Sequence, residues 1–274
     1  MASFFETVTD AINDTLEFGF ESDERLQYWV DLIRQAAADE MIPDAELDAQ
    51  LRRVLDATYD RLINKGSILN HHRGLDRFTL EQIKPALRAE LERRILASAA
   101  LVKLNREQAM AETIRRFTGW ATSIPAGGTN IADRRGTKAD IRKAITAMPF
   151  IERRVAIDQG HKLNAALSEI IAEDQGAIAA EWHSHWRQAG YNYRPDHKER
   201  DRVVYLMHDS WATRRRFVAP GPQGYYEDHE RPGELVFCRC FVRWIYNLRD
   251  LPKDLLTDAG REALSAARAS RAAA

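Results

Sequence analysis

Cysteine is nearly absent: the 274 residues contain two, Cys238 and Cys240, separated by one arginine. That scarcity excludes a disulfide-built scaffold and fits synthesis in a reducing cytoplasm. Long apolar runs are missing too. None approaches the roughly 20 residues needed to cross a bilayer, so no membrane span is expected. Charge of one sign is not in excess, with 40 Lys+Arg against 41 Asp+Glu. This argues against a whole-surface nucleic-acid binder and leaves room for local basic patches. The opening "MASFFETVTDAIND" is acidic and lacks the basic flank and apolar stretch of a secretory signal. The sequence contains no H-E-x-x-H, G-x-G-x-x-G, Walker or G-x-S-x-G pattern and no internal repeat.

What is present reads as helix for the first 120 residues or so. Leu26, Trp29, Val30, Ile33 and Ala37 follow the spacing of one amphipathic face. Pro43 opens a second helix, with Leu47, Leu51, Val54, Leu55 and Leu62 on one stripe and Gly66 as its stop. "SILNHHRGLD" (67–76) reads as a polar loop. Thr79 and Gln82 suggest a capping box with Pro85 near the first turn, ahead of a long helix to about Thr118. "TSIPAGGTN" (122–130) is the clearest break, read as a linker or exposed loop. Thr137 and Asp140 suggest a short capped helix. After Pro149 a longer helix runs toward Gly176, with Ile151, Val155, Leu163, Leu167, Ile170 and Ile171 inward.

The period then becomes two. Residues 178–186, 202–208 and 234–246 are candidate strands, joined by Pro/Gly-rich connections. The expected fold class is α+β: a long-helix N-terminal half followed by a small mixed C-terminal unit with a short antiparallel sheet. The expected organisation is a helical region at 1–121, a linker and short helix at 122–148, an α+β domain at 149–252, and a helical or mobile tail at 253–274.

On the third candidate strand, Val236, Cys238, Cys240, Val242, Trp244 and Tyr246 share an uncharged face, the expected core face. Phe237, Arg239, Phe241, Arg243 and Ile245 take the other. Two positions apart on a strand is about 6.6–6.8 Å between α-carbons, at the upper limit for a disulfide. The thiols therefore read either as small buried apolar residues or as half of a structural zinc site, with His197, His208 or His229 as further ligands. His183 and His185 share one strand face, as a metal pair or a solvent-facing one. His197 with Asp201 could be a base and its orienter, or part of a polar corner with Tyr191, Tyr193 and Arg194. The stretch 187–217 carries eight basic residues (Arg187, Arg194, Lys198, Arg200, Arg202, Arg214, Arg215, Arg216) against four acidic ones. It is a solvated face or a contact for phosphates. Arg239 is expected to pair with Asp201, Glu234 or another carboxylate. Phe4, Phe5, Phe18 and Phe20 are hard to bury in so short a lead segment and are expected to pack on a partner chain.

The order Trp182, Arg194, Pro195, His197, Asp201, Pro232, Glu234, Cys238, Arg239, Cys240 resembles the C-terminal signature of phage minor head proteins, the Mu protein F-like or head-morphogenesis family, over roughly 150–250. Two positions depart from it: Arg202 stands where that family has glycine, and Phe237 where it has asparagine. The first argues against a tight turn after Asp201. The resemblance implies a non-enzymatic virion protein made in the host cytoplasm and located inside or at the portal vertex of the head. It would assist head morphogenesis or genome delivery. Its implied partners are the portal protein, scaffold or major capsid protein, and packaged DNA through 187–217. The competing expectation is a metal- or histidine-dependent hydrolase acting on nucleic acid or cell wall.

Overall fold

The computed structural model describes residues 2–131 and 133–272. Helices α1 (Phe4–Phe18), α2 (Asp23–Glu40), α3 (Asp44–Tyr59), α4 (Arg77–Ala121), α5 (Arg134–Ile141) and α6 (Lys143–Asp174) precede a sheet of β1 (Ala179–His183), β2 (Val204–Leu206) and β3 (Phe241–Ile245). Short helices α7 (Pro195–Glu199) and α8 (Trp211–Arg214) lie between strands, and α9 (Asp258–Ala272) follows them. The class is α+β, with a helix-rich N-terminal half and a three-stranded antiparallel sheet toward the C-terminus.

The chain forms two compact units, one of residues 1–51 and 96–156, the other of 52–95 and 157–274. These units do not follow the boundaries read from the sequence, because α4 and α6 are continuous helices that each contribute to both.

In the first unit, Ser3 caps α1 in a reciprocal box with Glu6. Phe4, Val8, Ala11, Ile12 and Leu16 then recur at helical spacing and are all buried, packing in one cluster with Val30, Ile33, Met110 and Phe117. Of the four phenylalanines expected to pack on a partner chain, Phe4 is instead taken up by this chain's own core. Phe4 is 2% exposed and Phe20 is half-buried. Phe5 and Phe18 stay outside, beneath the guanidinium groups of Arg142 and Arg25. The 122–130 segment is likewise no free linker. Gly127 N–H donates to the Phe18 carbonyl (2.8 Å) and Thr129 N–H to that of Leu16 (3.0 Å). A Cβ on Gly128 would lie 2.3 Å from the Glu17 carbonyl oxygen, so only glycine lets these backbones meet.

Helix starts fall earlier than the sequence signals suggest. Asp76 Oδ1 accepts the Thr79 N–H (3.0 Å), so α4 begins at Arg77 and Pro85 lies inside it. Asp133, not Thr137, caps α5 through the Gly136 N–H. Pro149 sits within α6. Val54 is 44% exposed because the buried stripe runs Leu47, Leu51, Leu55, Tyr59, and a neighbouring position is turned about 100° away. Ile151 is also exposed. In the second unit Leu80, Leu87, Leu91 and Ile95 of α4 meet Leu163, Leu167 and Ile171 of α6.

Strand order is β2-β1-β3, with Trp182 opposite Val242 and Ala180 opposite Trp244. Both faces are covered: Trp182, Tyr205, Val242 and Trp244 belong to one cluster, Ala179, Leu206 and Ile245 to another. The third strand is much shorter than expected. Phe237 has φ +60°, which ends extended pairing, and Cys238 N–H turns back to the Leu235 carbonyl (3.1 Å). The tail is not loose up to Leu264, which packs on the second sheet cluster. A Cβ on Gly260 would lie 2.0 Å from the Phe217 carbonyl oxygen. Residues 273 and 274 lie outside the described residues.

Phe4→Ala should lower stability to urea by about 3–5 kcal/mol, the cost of emptying a core site, whereas Phe5→Ala should change it by under about 1 kcal/mol. Equal, small effects would return both residues to a surface role.

Candidate functional site

The residues that carry the sequence signature converge in the second unit. Pro195 starts α7 at a position where its missing N–H costs nothing, and that helix carries His197 beneath the sheet. The His197 ring meets Trp182 edge-on (centroids 5.5 Å apart, 77°) and is 1% exposed. The chain then reverses at Arg202, φ +71°. Arg202 N–H donates to the Trp182 carbonyl (2.7 Å), and Trp182 N–H to that of Val203 (2.8 Å). The tight turn that Arg202 seemed to disfavour therefore exists. Asp201 anchors it, accepting the Ser184 N–H (2.8 Å) and the Trp186 indole N–H (3.0 Å). Burial pushes the Asp201 carboxyl upward, but these donors and the Arg202 charge outweigh it and hold the group below the usual range. With its oxygens so engaged, Asp201 does not orient His197; the base–orienter pair is not formed.

A second reversal delivers the thiols. Phe237 N–H donates to Asp158 Oδ1 on α6 (2.7 Å). The Tyr191 hydroxyl donates to the Phe237 carbonyl (3.3 Å) and accepts the Arg239 N–H (3.2 Å). Arg194 donates to the Val236 carbonyl (3.0 Å), and Lys162 Nζ to that of Glu234 (2.9 Å). Among the described residues Arg239 meets no carboxylate. Its guanidinium lies over the Tyr191 ring and reaches Gln188 Oε1 (3.4 Å), since Asp201 is committed elsewhere and the Glu234 carboxylate accepts the Arg231 N–H.

This clamp leaves Cys238 and Cys240 free, buried, and facing the same imidazole nitrogen. Their sulfurs lie 3.6 Å and 3.4 Å from His197 Nδ1. They precede β3 instead of lying on it. The neighbouring Cys240 thiol lowers the pKa of Cys238 against the opposing push of burial, helped by the N–H groups of Gly233 and Cys240 and by His197. Cys240 is driven up by Cys238 and by burial, while the Ser184 hydroxyl and Trp182 indole act on its sulfur in the lowering direction. Of the histidines weighed with the thiols, only His197 joins them. His208 stacks on Tyr225, and His229 sits edge-on to Tyr205. His183 is buried, stacks on Phe241 and lies 3.2 Å from Glu181. His185 falls past the end of β1 and is exposed, and its ring also meets Phe241 (5.7 Å, 53°).

One feature was not legible in the sequence: within the supposed polar loop, residues 67–71 form a 3-10 turn, and His72 is fully buried. Its Nδ1 lies 2.7 Å from the Tyr246 hydroxyl and its Nε2 3.0 Å from Ser168 Oγ, which also accepts the Trp244 indole N–H (2.9 Å). Burial pushes His72 down to about 3.

Comparisons with family models, with curated proteins and with solved structures each return no match.

Because the pKa of His72 is depressed on folding, its contribution to stability is present above about pH 6.5 and is lost as pH falls toward 3. The stability difference between wild type and His72→Gln should therefore narrow by about 2 kcal/mol between pH 7 and pH 5 in urea unfolding; an unchanged difference would mean that His72 takes up its proton while folded. Arg202→Gly should raise stability by about 0.5–1 kcal/mol, through relief of the left-handed backbone. The ion pair it removes, Arg202 with Glu181 at 3.3 Å, leaves the arginine side chain 62% exposed and contributes little.

Proposed function

We propose that this chain is a structural protein of a phage virion, a minor head component docked at the portal vertex that assists head morphogenesis or genome delivery. The observation that carries the reading is the backbone at the two departures from the signature. Arg202 and Phe237 are left-handed, with φ of +71° and +60°. Glycine and asparagine, the residues expected there, are the ones that adopt this conformation at least cost. Left-handed backbone at both positions supports the reading.

The arrangement also favours a scaffold over a catalyst. Tyr191, Arg194, Asp201 and Arg239 spend their polar groups on one another's backbone or on neighbouring side chains. His197 is 1% exposed, and a general base must reach substrate.

Docking moves away from the N-terminal phenylalanines to the outer face of α4, where Leu96 (65% exposed), Ala100 and Leu104 (48%) lie at four-residue spacing. Contact with packaged DNA rests on Arg187 and Lys198, both within 5 Å of the Trp186 ring, and on the exposed Arg214, Arg215 and Arg216. Arg200 and Arg202 are instead spent on Asp196, Glu230 and Glu181.

Mass spectrometry of purified particles from the host that makes this chain should find it beside the portal protein at low copy number. Abundant chain in the lysate, with none in particles or assembly intermediates, would overturn the reading.

A further inference from the structure

His197 Nδ1 has a single lone pair, yet two buried sulfurs converge on it at 3.4 and 3.6 Å. It can accept a hydrogen bond from one thiol only. The other has only the weakly accepting sulfur of its neighbour, in a site where Cys238, Cys240 and His197 are 0%, 6% and 1% exposed. An ion at the centre of the three atoms satisfies all of them. The spacing fits: with metal–sulfur bonds of about 2.3 Å and metal–nitrogen bonds of about 2.0–2.1 Å, the sulfur–nitrogen edge of a tetrahedron is about 3.6 Å. All three ligand atoms lie within 4.8 Å of one another.

The surroundings are those of a ligating histidine. Its other nitrogen, Nε2, is buried without a hydrogen-bond partner and faces Glu230 Oε1 at 3.5 Å and Asp196 Oδ2 at 3.7 Å. Carboxylates on that side favour a proton at Nε2 and leave the Nδ1 lone pair for a metal. Trp182 Nε1 and Ser184 Oγ are also buried without a hydrogen-bond partner.

We propose that Cys238 Sγ, Cys240 Sγ and His197 Nδ1 bind one zinc ion in a tetrahedral site, with Glu230 and Asp196 as the carboxylates behind the histidine. Two thiolates and one imidazole select a borderline-soft cation over magnesium or calcium. Among the described residues no fourth histidine, cysteine or carboxylate joins the three, so the fourth position falls to solvent. The ion ties α7 to the segment entering β3, across 41 and 43 residues of chain. This cross-link is independent of whether the protein belongs to a virion.

The test uses the full-length chain purified with zinc chloride and dialysed. Elemental analysis should return one zinc per chain. Cobalt chloride added to the metal-free chain should give the intense visible bands of a tetrahedral ion and sulfur-to-cobalt charge transfer from two thiolates. Glu230→Gln, which alters a partly exposed side chain, should weaken zinc binding about 10-fold with the fold intact. The double variant Cys238→Ser, Cys240→Ser should retain no zinc. Sub-stoichiometric zinc, a weak octahedral cobalt spectrum, or zinc retained at wild-type affinity by the double variant would each overturn the assignment. If the double variant does not fold, the cobalt spectrum of the unaltered chain decides the question alone.

Discussion

The indole of Trp182, at 1% exposure, is the surface on which the C-terminal unit is assembled. It sits on the central strand, so its backbone is paired toward both neighbours, and its ring meets the His197 ring edge-on and lies under the Arg200 guanidinium. With Trp244 on the same sheet face, it removes on the order of 200 Å² of ring from water, or about 5 kcal/mol per tryptophan. That burial sets where α7 must lie, and α7 in turn places the histidine that meets the thiols. A three-stranded sheet of this size needs such covering, since few strands alone do not hold together in water.

Two left-handed residues allow the chain to wrap this surface. Each costs roughly 1 kcal/mol for a residue with a Cβ, and each is held by specific partners. Arg202 is held through its N–H to the Trp182 carbonyl, Phe237 through its N–H to Asp158. Strain retained in this way marks positions that the surrounding structure over-determines. Here the result is a pair of reversals that aim Cys238, Cys240 and His197 inward while the side chains around them satisfy backbone groups.

Polar groups buried near the sheet follow the same logic. His72, Ser168, Trp244 and Tyr246 form a hydrogen-bonded set that joins the 3-10 turn, α6 and β3. Buried without those partners, the imidazole would cost several kcal/mol. With them, it locks a segment that composition marks as a loop. The His197 cluster differs, because its two thiols share one imidazole nitrogen and otherwise have only each other's weakly accepting sulfur.

The α+β class and the helical stripes of α2, α3 and α6 were legible in the sequence, because a period near 3.6 survives whatever the helix packs against. The association of His197 with the Cys-x-Cys pair was also legible, as one alternative among several, since those residue types share a chemistry. The docking of 122–130 on α1, the burial of Phe4 and the shortness of β3 were decided by the tertiary structure alone. Each depends on a partner distant in the chain or on a single backbone angle, and no local pattern of residues encodes either. The sequence by itself determined which faces are apolar and which residues could share a site. The fold decided which of them meet, because convergence on one imidazole nitrogen requires two chain reversals whose angles only packing against Trp182 and Asp158 enforces.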